Sequence, residues 1–463
     1  MLIIPIIILS PVRHMAKKIL IIGSGAAGMT AASSARKFDK GHDITVITED
    51  EDIAYSPCAV PWVLEGKNSW DGIVMHKPDY YSKEKNIDVI VRTKVDSVDA
   101  DAKTATAGGK TYSYDSLVIA TGGRVFVPPI KGKDLKGVYT VRTVRDGRNI
   151  EACMKETDDV VIAGAGVIGL EMAVALKNTG KNVTVIEMMN QVIPRIADSD
   201  IAAEVQKHLE KMGINIVLNA PVEEVLGEKS VEGVKADGKT YSCGMVIFAT
   251  GVRANLDIPN QLNLDIGQLG AVVVSPTLQP YRRGRLVNDI YLAGDLIQCR
   301  SAAVPGPTMS QLGSSAVRQG LIAGRNAAGD RSMLGPTASP WISVIDELQV
   351  AGTGMSKGLA SWYGISVVEG KAEGLTRARY SPGGKRLIVK IIAEKSSHKI
   401  IGAQIFSGED ANGRINWLTS AILSGTTAEE FLFMTENAYC PPTSMVTDVV
   451  LSAAEDLVRN LSG

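Results

Sequence analysis

The chain is short of aromatic residues, of cysteines and of net charge, and each shortage narrows what it can be. Aromatics make up only 5% of its 463 residues, against 45% hydrophobic residues in all and 46 glycines. That balance favours an α/β protein with many tight strand-to-helix turns. The formal net charge is −1, so no global field gathers nucleic acid or an anionic membrane. The five cysteines (58, 153, 243, 299 and 440) are odd in number and lack metal-ligand spacing. They point to a reducing compartment, to no metal site and to no disulfide scaffold.

Long hydrophobic runs are missing too. Met1 to Ser10 is apolar, but far too short to span a bilayer. Its basic residues follow the apolar run, the reverse of a signal peptide. Residues 1–14 therefore read as an extra tail ahead of a natural start at Met15, and the protein reads as cytoplasmic. The length implies two to four domains.

Against these absences stand two copies of one pattern. Lys17 to Ile22 is an apolar β run ending in Gly23-Ser24-Gly25-Ala26-Ala27-Gly28, followed by a helix of small residues and a second strand, Asp43 to Thr48, leading to Glu49. Gly23 permits the tight turn, Gly25 lets a pyrophosphate approach the backbone, and Gly28 lets the helix pack close to the strand. The pattern recurs in Asp159 to Ala163, Gly164-Ala165-Gly166-Val167-Ile168-Gly169, and the strand Asn182 to Glu187. Glu187 is placed to accept hydrogen bonds from both ribose hydroxyls. Met188 and Met189 follow it with no Arg or Lys, so NADH is expected in preference to NADPH.

Each unit closes with an apolar strand and a glycine turn, Ala120-Thr121-Gly122 in the first and Ala249-Thr250-Gly251 in the second. Gly294-Asp295 then follows a further strand, where an acid can bond a polyol chain. The order is first unit, complete second unit, and a return to the first through Asp295. Two dinucleotides with adjacent sites imply hydride passing from nicotinamide to flavin.

Cys58 stands just beyond the first unit, in Ala54-Tyr55-Ser56-Pro57-Cys58-Ala59-Val60-Pro61-Trp62, with no cysteine nearby. A lone thiol must carry oxidising equivalents as a mixed disulfide, a persulfide or a sulfenic acid. The apolar stretch Ala59 to Leu64, with Pro61 early in it, is expected to start a helix on the sulfur.

These ordered motifs resemble the FAD-dependent pyridine nucleotide-disulfide oxidoreductases from about Lys17 onward, and within them the single-cysteine branch of coenzyme A disulfide reductases, NADH oxidases and NADH peroxidases. The resemblance implies two Rossmann-like domains, the second inserted in the first, and a C-terminal α+β dimerisation domain. The expected boundaries are 15–128 and 255–333 for FAD, 129–254 for NAD(P)H and 334–463 for the interface. It implies FAD on Gly23, Gly25, Gly28 and Asp295, NADH on Gly164, Gly166, Gly169 and Glu187, and Glu171 near the nicotinamide. It implies a homodimer in which Tyr439, of Ala438-Tyr439-Cys440-Pro441-Pro442, reaches Cys58 of the partner, with Tyr380 in the same neighbourhood.

The chain departs from the family at several places. Thr48 stands where the flavin-side acid is usual, leaving Glu49 as the candidate ribose ligand. Ala54 and Pro57 replace polar groups that help to hold coenzyme A, whereas Thr30, Ser34 and Lys37 match coenzyme A contacts in position. No histidine lies in the first glycine motif, which argues against peroxide as the acceptor. His398 reads as part of a turn. Cys440 occupies an alanine position and is a candidate resolving thiol for Cys58 across the dimer, against a plainer reading as a small filler. The expected activity is electron transfer from NADH through flavin and Cys58 to a small disulfide, coenzyme A disulfide first. The alternatives are polysulfide or persulfide, oxygen, and a small electron-transfer protein.

Overall fold

Two five-stranded parallel sheets repeat the same plan. In the computed structural model, which describes residues 16–463, Lys18–Ile22 lies between Asp43–Ile47 and Ser116–Ile119, with Asp88–Ile90 and Ile290–Leu292 at the two edges. The reading of residues 1–14 as a tail lies outside the described residues. In the second sheet Asp159–Ala163 lies between Asn182–Ile186 and Met245–Phe248, with Asn215–Val217 and Val138–Thr140 outermost. Strands covered on both faces read as unbroken apolar runs, as Ile19 to Ile22 and Val160 to Ala163 do.

Beside each parallel sheet stands a three-stranded antiparallel flap, over 95–113 in the first unit and 222–242 in the second. Both flaps end in Lys-Thr-Tyr-Ser, at Lys110–Ser113 and Lys239–Ser242. The chain leaves the first unit through Gly123–Val125 and returns through Val252–Ala254, and these two strands pair antiparallel.

Helix Ala26–Phe38 packs along helix Gly313–Ala327. The approach is close: a Cβ at Gly320 would lie 2.3 Å from the Ala27 carbonyl oxygen, and one at Gly324 2.1 Å from that of Ala31. Small residues at four-residue spacing on both helices make this contact possible.

The C-terminal part is an antiparallel five-stranded sheet in the order Trp341–Ile345, Leu348–Gly354, Ile400–Ser407, Arg386–Glu394, Val367–Leu375, covered by helices Ala411–Ser424 and Val449–Ser462. It is joined to the second unit by a polar seam. Buried Lys390 has Asp198 at 3.0 Å, Asp200 at 3.3 Å and Glu369 at 3.0 Å. Such a cation is tolerated inside because carboxylates surround it. His208 reaches Asp346 at 3.1 Å along the same seam. His398 lies in the turn between two strands of this sheet, at φ +57°. No helix among the described residues is long and apolar enough to cross a membrane.

Candidate active site

The first glycine loop is a cradle shaped by backbone contacts. Gly23 sits at φ +105° and donates to the Ile47 carbonyl at 2.9 Å. A Cβ at Gly28 would lie 1.9 Å from the Gly23 oxygen, whereas one at Gly25 would meet nothing within 4 Å. Gly28 is thus required by packing, and the open space at Gly25 is what a pyrophosphate needs. Ala26 is exposed at the mouth and Ala27 is buried behind it. Ala120 is buried beneath the loop, and Gly122 turns away at φ +62°. The Thr121 hydroxyl oxygen is buried without a partner among the described residues. An orphaned hydroxyl in this cradle fits a bound FAD.

The returning strand completes the cradle. Gly294, at φ +98°, donates to the buried Gln319 side chain at 2.7 Å. Asp295 is 8% exposed and receives Arg142 Nη2 at 2.7 Å. Arg142 precedes a capped helix, Val144–Cys153, in which Thr143 and Asp146 form a capping box. Its charge is also felt at Asp50, Tyr55 and Cys58. Arg142 therefore belongs to this site, and the motif reading missed it. The Thr-x-x-Asp box immediately after it was the available signal.

The second loop repeats the first. Gly164 sits at φ +108° and donates to Ile186 at 2.8 Å. A Cβ at Gly169 would lie 2.1 Å from the Gly164 oxygen, and Gly166 is open. Val167 is half-buried, and Ile168 is exposed at the start of the helix. Glu187 is 6% exposed and held from two sides, accepting from Ala165 N and Met189 N, each at 2.8 Å. Ala249 is half-buried, the Thr250 hydroxyl donates to the Phe126 carbonyl, and Gly251 turns at φ +98°.

Glu49 does not take the place that Glu187 has. Thr48 does: its amide donates to Ile90 at 2.9 Å, as that of Glu187 donates to Val217 at 2.8 Å. Thr48 is buried and accepts from Ser24 Oγ at 3.0 Å, while Glu49 is exposed one residue further on. Glu49 thus stands one residue beyond the position that Glu187 holds, and Thr48 occupies that position.

Cys58 lies in the 3-10 turn Pro57–Ala59, which runs into helix Val60–Leu64 with Pro61 in its first turn. The expected helix is present but only five residues long. Cys58 is exposed, yet desolvation by the packed loop pushes its thiol up, and the charge of Glu171 pushes the same way. Hydrogen bonding from Ser56 and the charge of Arg142 oppose this without reversing it. Cys153, Cys243 and Cys299 are buried, and burial raises Cys243 to about 12 and Cys299 to about 11.

Glu171 is half-buried on helix Val167–Asn178 and accepts from Ser343 Oγ at 2.6 Å. Burial raises its carboxyl, and the Ser343 bond partly offsets that. Tyr380 and Tyr439, both exposed, meet hydroxyl to hydroxyl at 2.5 Å. That bond is the first cause raising the Tyr439 phenol. Cys440 is exposed beside it. On the first helix Thr30 is half-buried and Lys37 exposed, but Ser34 is 5% exposed. Ser34 shares the stripe of Ala27 and Ala31 that faces helix Gly313–Ala327, which leaves it little surface for a ligand.

The geometry agrees with the comparisons. The family model described as pyridine nucleotide-disulphide oxidoreductase matches residues 17–320, and that of its dimerisation domain matches 341–449. The chain belongs to this family. It is an enzyme, an NAD(P)H-dependent flavoprotein oxidoreductase working with FAD and NADH.

It is 44% identical over 451 residues to an NADH oxidase of Methanocaldococcus jannaschii, covering 96% of this chain and 99% of that one. It is 31% identical over 449 residues to an NAD(P)H coenzyme A polysulfide/persulfide reductase of Pyrococcus horikoshii, covering 96% and 99%. Among solved structures, an NAD-dependent persulfide reductase from A. fulgidus superposes with a TM-score of 0.90 at 31% identity, over 95% of this chain and 82% of that one.

Proposed function

We propose that the enzyme passes electrons from NADH to Cys58 and from there to a small disulfide or sulfane-sulfur substrate, with coenzyme A disulfide first and polysulfide or persulfide next. The observation that carries this reading is the placement of Cys58. It is an exposed thiol on a turn whose following helix packs against the nicotinamide-side helix Val167–Asn178. Glu187, fixed by two amides and followed by Met188 and Met189 rather than a cation, supports NADH over NADPH.

Gly23, Gly25, Gly28, Thr121, Asp295 and Arg142 would hold FAD, which when bound takes hydride from NADH and delivers the electron pair to sulfur. The Cys58 thiolate attacks one sulfur of the substrate, forming a mixed disulfide and breaking the S–S bond. The departing thiolate takes a proton from Tyr439 of a second copy of the chain, where the Tyr380 hydroxyl holds that phenol in place. Two electrons and two protons then release the second thiol, restore Cys58 and reprotonate Tyr439. This assigns the C-terminal domain to a homodimer with shared sites.

A second reading, oxygen reduction with Cys58 as a sulfenic-acid intermediate, draws support from the likeness to the M. jannaschii NADH oxidase. Anaerobic stopped-flow reduction with NADH, followed by coenzyme A disulfide, polysulfide or oxygen, separates the two. Fast reoxidation by a sulfur substrate that Cys58→Ser abolishes is the expected outcome. Fast reoxidation by oxygen alone would overturn it. Because the thiol is raised, the sulfur-dependent rate should climb with pH through a range above that of an ordinary cysteine.

A further inference from the structure

Ser343 is a polar residue where the packing calls for an apolar one. It lies on Trp341–Ile345, an edge strand of the C-terminal sheet, and is 3% exposed. Its neighbours Ile342 and Val344 point the other way and are 40% and 48% exposed, whereas Ile345 is fully buried. Ser343 therefore faces inward, and its strand packs against helix Val167–Asn178 of the second nucleotide unit. A buried hydroxyl at such a place is costly unless bonded. Its partner is Glu171 Oε1, at 2.6 Å, in the range of a charge-assisted O–H···O bond.

Glu171 is one turn into the helix that opens at the second glycine loop. The same helix packs against Val60–Leu64, the short helix that follows Cys58. Segments of the first unit, the second unit and the C-terminal domain thus meet on the helix that carries Glu171. Burial and the Ser343 bond shift that carboxyl in opposite directions, and its charge reaches Cys58. A glutamate side chain on a helix has three free torsions, and the Ser343 hydrogen bond is what restrains the Glu171 carboxylate among the described residues.

We propose that Ser343 is a positioning residue for the nicotinamide end of NADH: by fixing the Glu171 carboxylate, the C-terminal domain sets the alignment for hydride transfer without touching the cofactor. The inference rests on the proposed NADH-dependent function and on the expectation, implied by the family resemblance, that Glu171 neighbours the nicotinamide. It adds that a residue outside both nucleotide units governs that neighbour, because a misplaced orienting group lowers the rate even when binding elsewhere is intact.

The test uses the full-length, FAD-loaded protein and two ligands differing only in the nicotinamide, NAD+ and ADP-ribose. For Ser343→Ala, calorimetric titration should show NAD+ weakened roughly tenfold and ADP-ribose unchanged. The limiting anaerobic rate of flavin reduction by NADH should fall by about the same factor. Ser343→Thr, which keeps the hydroxyl, should restore both. Glu171→Gln should show a comparable loss, and the double variant should lose no more than either single one.

Equal weakening of ADP-ribose, failure of Thr to rescue, or additive losses would overturn the proposal. If Glu171→Gln weakens NAD+ but Ser343→Ala does not, only the role of Ser343 falls. If Glu171→Gln binds NAD+ as the parent does, the reading of Glu171 fails and takes this inference with it.

Discussion

In the first nucleotide unit the residue after the second strand is Thr48; in the second it is Glu187. The backbone frame around them is matched in the strand pairing, the glycine at positive φ and the amide bond to the third strand. In the second unit two backbone amides pin a carboxylate beside the loop. In the first, the Thr48 hydroxyl is tied to Ser24 and no acid is present at that place. One backbone can therefore serve two purposes. The second unit carries a carboxylate fixed beside its glycine loop; the first has none at that place, and its acid, Asp295, comes from the returning strand and is paired with Arg142.

The largest test of that comparison removes one glycine from each unit. Gly28→Ala and Gly169→Ala each drive a methyl into a backbone oxygen, at 1.9 Å and 2.1 Å, and overpacking of this kind costs about 1–3 kcal/mol or more. Gly28→Ala should yield protein without flavin, read from its visible spectrum. Gly169→Ala should keep the flavin yellow but resist bleaching by NADH. A variant that lost both cofactors would show that the units are not separable.

Next in size is Glu187→Ala, expected to raise the NADH KM roughly tenfold to a hundredfold at unchanged flavin content. An unchanged KM would remove Glu187 from the site. Smallest is the matched pair in the first unit. Thr48→Ala should lower the melting stability by about 1 kcal/mol, and exposed Glu49→Gln should leave FAD affinity within about twofold. Loss of FAD on replacing Glu49 would give that residue the ribose role.

These contrasts also mark where the sequence is readable. Both loops, Glu187 and Asp295 follow from local spacing, because a strand, a turn and a helix start are made by neighbours in the chain. The repeated Lys-Thr-Tyr-Ser of the two flaps is equally local and equally legible. Arg142 and Ser343 were not legible in the same sense. Each matters through a partner far along the chain, Asp295 and Glu171, and such pairs exist only once the domains have docked. Ser34 shows a related limit of local spacing. Its spacing placed it with Thr30 and Lys37, but the stripe of Ala27 and Ala31 faces the helix of Gly320 and Gly324, and tertiary packing encloses it. Glu49 stands a single residue past the place that Glu187 holds.

The edge strand Ile290–Leu292 lies beside Ser116–Ile119 in the first sheet, with the whole second unit between them in the chain. During synthesis the second sheet emerges complete before that edge strand does. The paired strands Gly123–Val125 and Val252–Ala254 bring its two ends together, so it can fold while the first sheet waits with an open edge. Asp295 follows the late strand directly. The first nucleotide unit, begun first, is therefore the last of the two to be finished.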